Sequence, residues 1–188
     1  TTPLFVCEGG MAGPYPCNDY DLLAHIPVSV LANTIGTPEG SDIWGWTDPS
    51  TGKEYALVAT TNSTAFVDVT DPIEPVFLGR LDTSAGTNFW RDVKVYNNYA
   101  FIVADGVGPH GMQVFDLTRL RGIGTPRQFN ADALYSGIGS AHNVAINEDS
   151  GFAFLTGGDD CSGGLHMVDI NNPKLPSFAG CFSADGYT

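Results

Sequence analysis

The chain has 188 residues, with 21 Asp and Glu against 8 Lys and Arg, for a formal net charge of −13 at pH 7. That balance repels nucleic-acid phosphates and anionic lipid, which argues against both as partners. No apolar run approaches the roughly 20 residues of a membrane-spanning helix, and 23 Gly and 12 Pro scattered through a chain without sustained helical spacing argue against a helical architecture.

Residues 1–40 stand apart from the rest of the chain. Cys7 and Cys17 bracket a loop rich in Gly and Pro, and the stretch Tyr20 to Leu31 comes nearest to helical spacing but is interrupted by Pro27. Ile26-Pro27-Val28-Ser29-Val30-Leu31 reads instead as an outermost strand with no unit of its own, placed before the next unit as Val76 to Leu81 is placed before the one after.

A repeated phrase then begins. Residues 41–84 open with Ser41-Asp42-Ile43-Trp44, turn at Asp48-Pro49-Ser50-Thr51-Gly52, and continue through Tyr55-Ala56-Leu57-Val58, Phe66-Val67-Asp68-Val69-Thr70 and Pro75-Val76-Phe77-Leu78-Gly79. Residues 85–136 answer with Arg91-Asp92-Val93-Lys94, the turn Asn97-Asn98, Tyr99-Ala100-Phe101-Ile102 and Val114-Phe115-Asp116-Leu117-Thr118. Residues 137–188 repeat it as His142-Asn143-Val144-Ala145, Asn147 to Gly151, Phe152-Ala153-Phe154-Leu155, Met167-Val168-Asp169-Ile170-Asn171 and Pro176-Ser177-Phe178-Ala179-Gly180. From Asp42 to Asp92 to Asn143 the steps are 50 and 51 residues.

Each phrase holds four short alternating runs separated by Gly, Asn, Asp and Pro, residues suited to tight reversals and, for Pro, excluded from central strands. A four-stranded antiparallel unit of roughly 40 to 50 residues that recurs is the signature of a β-propeller blade. The chain is therefore expected to be all-β, a propeller of about three blades plus an N-terminal strand that would help close the ring. Rings typically take about four to eight blades, so the ring is expected to be incomplete in this chain, with Asp185-Gly186-Tyr187-Thr188 as the lead-in to a further blade.

Residue by residue the chain resembles the LVIVD-repeat propellers, and more closely the extracellular choice-of-anchor B family. The resemblance is carried by Cys7 to Ala12, Tyr15-Pro16-Cys17, Asp21-Leu22-Leu23, Ser41 to Asp48, Gly52 to Ala56, Trp90 to Val95, His110 to Leu117, Ala141-His142-Asn143 and Gly164 to Asp169. That family's domain is longer and continues after a Gly-Tyr-Thr like Gly186-Tyr187-Thr188, so the chain looks like its N-terminal half. The resemblance implies a secreted or surface-attached propeller and no assigned reaction.

The four cysteines allow three pairings. Cys7–Cys17 and Cys161–Cys181 are expected, the second pair lying before the third strand and at the end of the fourth strand of one blade; four reduced thiols in a cytosolic protein are the alternative. Asn62-Ser63-Thr64 is a glycosylation sequon on an expected hairpin turn, which makes a glycan a candidate attachment.

The chemistry concentrates at the starts of the inner strands, which line a propeller's axis. Asp42, Arg91, Asp92, His142 and Asn143 are expected to converge on one end of the axial funnel, with His110 and His166, read as equivalent positions, nearby. Asp92, His110, His142 and His166 are the candidate ligands for a divalent cation that could activate water. The competing and favoured reading is structural: the recurring polar pair ties adjacent blades together, Arg91 to a carboxylate and His142 or Asn143 to backbone groups. Asp68, Asp116 and Asp169 recur once per blade as acceptors for turn amides; Asp159-Asp160 and Asp71 with Glu74 are candidate calcium carboxylates without an EF-hand spacing. Trp44, Trp46 and Trp90 are expected to fill gaps between blades, or to stack a sugar.

No nucleophile elbow or phosphate loop occurs. Two function classes remain: a non-catalytic extracellular or cell-surface propeller for binding, adhesion or assembly, and a metal-dependent hydrolase or lyase working in the funnel. Open blades expose apolar surface and unpaired backbone, so contact is expected with the remainder of the propeller, a second copy or a partner chain, a surface filament being one form of it.

Overall fold

The computed structural model describes residues 2–33 and 37–184; the expected lead-in at 185–188 lies outside the described residues. A small antiparallel meander opens the chain, β1 (Cys7–Glu8), β2 (Met11–Ala12) and β3 (Tyr15–Pro16), and a Cys7–Cys17 disulfide closes it. After a single helical turn, α1 (Val28–Leu31), come β4 (Gly40–Thr47), β5 (Glu54–Thr60), β6 (Ser63–Asp68) and β7 (Val76–Asp82), then β8 (Arg91–Tyr96), β9 (Tyr99–Ala104), β10 (Met112–Asp116), β11 (Arg127–Phe129) and β12 (Ala133–Tyr135), then β13 (Asn143–Asn147), β14 (Phe152–Thr156), β15 (Leu165–Asp169) and β16 (Ser177–Phe182).

These strands form three antiparallel blades, β4-β5-β6-β7, β8-β9-β10-β12 and β13-β14-β15-β16. The all-β, propeller-type reading of the repeats holds. Inner strand β8 packs between β4 and β13, so the three strand starts meet around one centre.

Alternation explains how the blades stick together. On β9, Ala100 and Ile102 face the first blade, where they join Trp46, Leu57, Phe66 and Phe115. Phe101 and Val103 face the third, where they join Met112, Val144, Leu155 and Val168. A strand buried on both faces reads as an unbroken apolar run, which Tyr99-Ala100-Phe101-Ile102-Val103-Ala104 is. Phe66 and Phe115 stack across the first interface with ring centroids 4.5 Å apart.

The turns work as their residues dictate. Asp48 accepts the Ser50 amide and hydroxyl, both at 2.9 Å, and Asn97 takes the left-handed backbone (φ 53°) that the two-residue β8–β9 reversal demands. Asp68, Asp116 and Asp169 accept the amides of Thr70, Thr118 and Asn171 at 3.0, 3.1 and 2.9 Å, the same Asx turn once per blade.

Two features differ from the sequence expectation. Residues 26–31 do not form a ring-closing strand: α1 begins after Pro27, and Ile26 and Leu31 lie flat against Ala65 and Val67 on the outer face of the first blade. The Arg80 guanidinium donates to the Ala32 and Val30 carbonyls at 2.8 and 3.3 Å, so these backbone groups are satisfied by a side chain where a ladder was expected. Second, β11, expected inside the second blade, pairs in parallel with β7 and gives the first sheet a fifth strand. Gly79 makes room for it: a bulge there sets φ at 129°, and a Cβ would meet the Arg127 carbonyl oxygen at 2.0 Å.

Candidate axial site

The polar pairs at the inner-strand starts make the same connection twice. Asp42 Oδ2 accepts the Val93 amide of the next blade at 3.2 Å, and Asp92 Oδ2 accepts the Val144 amide of the blade after at 2.8 Å. Asn143 Nδ2 adds a bond to Asp92 at 3.3 Å, and Ser41 Oγ both donates to the Arg91 carbonyl (2.9 Å) and accepts its amide (3.2 Å). The carboxylates therefore act as clasps on backbone that an inner strand would otherwise leave unpaired.

Lys94 completes the arrangement. Its ammonium bonds Asp42 at 2.8 Å and also Asp92, and sits 4.6 Å from the centre of the Trp44 ring. Burial opposes ionisation of Asp42, but the hydrogen bonds with Asp92, Lys94 and Val93 outweigh it and hold that carboxyl at about 2. For Asp92 burial wins, helped by the Asp42 carboxyl, and the group is pushed up despite Lys94 and Val144. Lys94 was legible only as the residue two after Asp92, on the same face of β8.

Together Ser41, Asp42, Trp90, Asp92, His142 and Asn143 line an open cleft of about 400 Å³ at the inner-strand starts. His142 points its Nδ1 at Asp105 Oδ2, 3.0 Å away, and Ser140 Oγ donates to the other Asp105 oxygen at 3.0 Å. Nothing in the sequence marked Asp105, which lies outside the repeated phrase.

Among the described residues, Arg91 reaches no carboxylate. It is buried, donating to Thr83 Oγ1 at 2.9 Å and to His110 Nε2 at 3.3 Å, and burial lowers its pKa to about 10. His110 is also fully buried, with Nδ1–H donating to the Gly111 carbonyl at 2.9 Å; burial and the Arg91 charge push its ring down to about 4. His110 and His166 are not equivalent positions. By strand register Gln113, opposite Ile102, is the counterpart of His166, opposite Leu155.

His166 lies in the third blade, its Nε2 bonded to the Tyr135 hydroxyl at 2.8 Å and its Nδ1 to Asp160 at 2.9 Å. Asp92, His110, His142 and His166 thus form no cluster. Among the described residues, the group of three or more metal-ligating side chains with donor atoms within 4.8 Å of one another is Asp160, Cys161, His166 and Cys181, whose two cysteines are joined as a disulfide. Of the acidic pairs, Asp159 accepts the Gly139 and Ser140 amides at 3.0 Å while Asp160 turns to His166, and Asp71 accepts the Ile73 amide at 3.1 Å.

The remaining candidates sort by exposure. Trp46 is buried and stacks on Tyr55 at 5.0 Å, whereas Trp44 and Trp90 are 43% and 46% exposed beside the cleft. Asn62 occupies the β5–β6 turn, but its amide nitrogen donates to the Asn33 carbonyl, and Ser63 and Thr64 are buried, so modification requires this turn to open.

A model of the LVIVD repeat matches residues 52–83, 90–108 and 138–183, together just over half of the chain. The matched stretches fall one to a blade, covering β5–β7, β8–β9 and β13–β16. A search of curated proteins finds no match.

Proposed function

Because the chain belongs to the LVIVD-repeat family, whose repeats are propeller-type, we propose that it is a non-catalytic extracellular module of the choice-of-anchor B kind, serving binding or assembly at a cell surface. One observation carries the non-catalytic part. The side chains best suited to catalysis are committed to holding blades together: Asp42 and Asp92 to the amides of Val93 and Val144, with Lys94 between them. A general base or metal ligand needs a free lone pair, and those carboxylates have little to spare.

Assembly is supported by the third blade. Ala145, Phe154 and Met167 are cross-strand neighbours on its outer face, the counterpart of the second blade's buried Phe101 and Val114 face, and Phe182 nearby is 48% exposed. The natural cover is a further blade, contributed by the rest of the propeller, a second copy or a partner chain. Two disulfides, and no helix among the described residues long and apolar enough to cross a membrane, are compatible with the extracellular setting.

Elemental analysis of the oxidised protein after chelation and re-exposure to calcium, manganese and zinc tests the reading. Expected are no stoichiometric ion and, for Asp92→Asn, a lowered Tm alone. An ion lost in Asp92→Asn together with turnover of an ester or a phosphoester would establish the hydrolase instead. In sedimentation, association is expected to weaken in Phe154→Glu; a wild-type protein monodisperse as a monomer across concentrations would remove the self-assembly arm.

A further inference from the structure

The third blade holds a second concentration of chemistry, away from the cleft. His166 on β15 and Cys181 on β16 stand directly opposite each other in register. A tight turn at Cys161–Gly163 folds Asp160 and Cys161 back over them, closed by Gly164, where a Cβ would meet the Phe182 carbonyl oxygen at 2.1 Å. His166 is 1% exposed; its Nδ1 lies 2.9 Å from Asp160 Oδ2 and 3.7 Å from Cys161 Sγ.

One donor atom from each of Asp160, Cys161, His166 and Cys181 lies within 4.8 Å of the other three. Metal–ligand bonds of about 2.0 to 2.3 Å in a tetrahedron put neighbouring donors about 3.6 Å apart. Two thiolates, an imidazole and a carboxylate are a donor set for zinc. While the sulfurs are bonded to each other they cannot serve.

We propose that Asp160, Cys161, His166 and Cys181 form a latent zinc site, masked by the Cys161–Cys181 disulfide and opened by its two-electron reduction. A dithiol reductant closes to its own cyclic disulfide, the Cys161–Cys181 bond breaks, and the two protons pass to the freed sulfurs. Zinc displaces those protons as it binds. Tyr135 suits both states: its hydroxyl donates to His166 Nε2 while Nδ1–H points at Asp160, and accepts from Nε2–H once Nδ1 turns its lone pair to the metal. The site would serve the protein before oxidation is complete, or wherever thiols keep it reduced.

Cobalt(II) is the probe. The full chain with Cys7→Ser and Cys17→Ser keeps only the blade disulfide; it is reduced with dithiothreitol, desalted under nitrogen and titrated. Expected are the visible bands of a tetrahedral thiolate–cobalt centre at stoichiometric metal, absent from the oxidised protein and abolished by stoichiometric zinc. Tyr135→Phe should weaken binding roughly 10- to 100-fold, as loss of an outer-shell partner does. Asp160→Asn, a change at a half-exposed side chain, should shift the bands while the β-sheet circular dichroism persists. The idea fails if the reduced protein gives no tetrahedral spectrum, if it unfolds without taking up metal, if the oxidised protein gives the same spectrum, or if both variants leave spectrum and affinity unchanged.

Discussion

Acidification should destabilise the protein through His110, and a single substitution isolates the effect. The ring is fully buried, and burial with the neighbouring Arg91 charge takes its pKa from 6.5 to about 4. Above pH 6.5 folded and unfolded chains both carry it neutral. As pH falls the unfolded chain takes up the proton first, so stability is lost until about pH 4, where the folded ring protonates too and the loss stops. At about 1.4 kcal/mol per pH unit the full window is worth about 3 kcal/mol. Burial pushes the Asp92 carboxyl up as well, and other carboxylates take up protons as the pH falls, so the quantity to measure is a difference. Urea unfolding followed by tryptophan fluorescence at pH 7 and pH 4.5 should show wild type losing about 2 to 3 kcal/mol more than His110→Gln, which keeps an acceptor for Arg91 but has nothing to protonate. Equal losses in the two proteins would mean that the ring is not held neutral between Arg91 and Gly111.

Asp92→Ala strands the Val144 amide, while the Val93 amide and Lys94 keep Asp42; one buried unsatisfied donor costs about 1 to 3 kcal/mol, read as a lowered urea midpoint, with Asp92→Asn losing less. Phe115→Ala removes the ring stacked on Phe66 and edge-on to Phe129 at the first interface, and thermal unfolding should register a loss of about 3 to 5 kcal/mol; a loss below about 1 kcal/mol would mean the blades do not depend on that interface. Asn62, its amide turned to Asn33, should be recovered unmodified by peptide mass spectrometry after expression through a secretory pathway, and full occupancy would show that the turn opens readily.

What could be read from the sequence was whatever repeats. Asp42 and Asp92 recur at the same point of the phrase because each blade must satisfy the same inner-strand amide of its neighbour, and Asp68, Asp116 and Asp169 recur because each blade makes the same turn. Contacts outside the repeat were not legible. Asp105, Thr83 and Asp160 find His142, Arg91 and His166 through contacts whose partners share no phase. His110 resembles a repeat position because each histidine precedes a third strand, but His110 stands five residues before Phe115 and His166 two before Val168, and strand pairing makes Gln113 the true counterpart. The stretch from Ile26 to Leu31 alternates like a strand, but its apolar residues are buried by lying across a sheet face, which alternation does not distinguish from joining an edge.

The parallel strand Arg127–Phe129 belongs by sequence to the second unit and by hydrogen bonding to the first. A protease cut anywhere in 83–90 would therefore leave two pieces still stapled to each other, by backbone bonds at the rim as well as by the Phe66–Phe115 contact nearer the hub. The same strand covers the Gly79 to Leu81 stretch of the β7 edge, so no foreign strand can be recruited along that stretch. Unravelling of the arc should consequently start at the third blade, and the first two should yield as a single cooperative body.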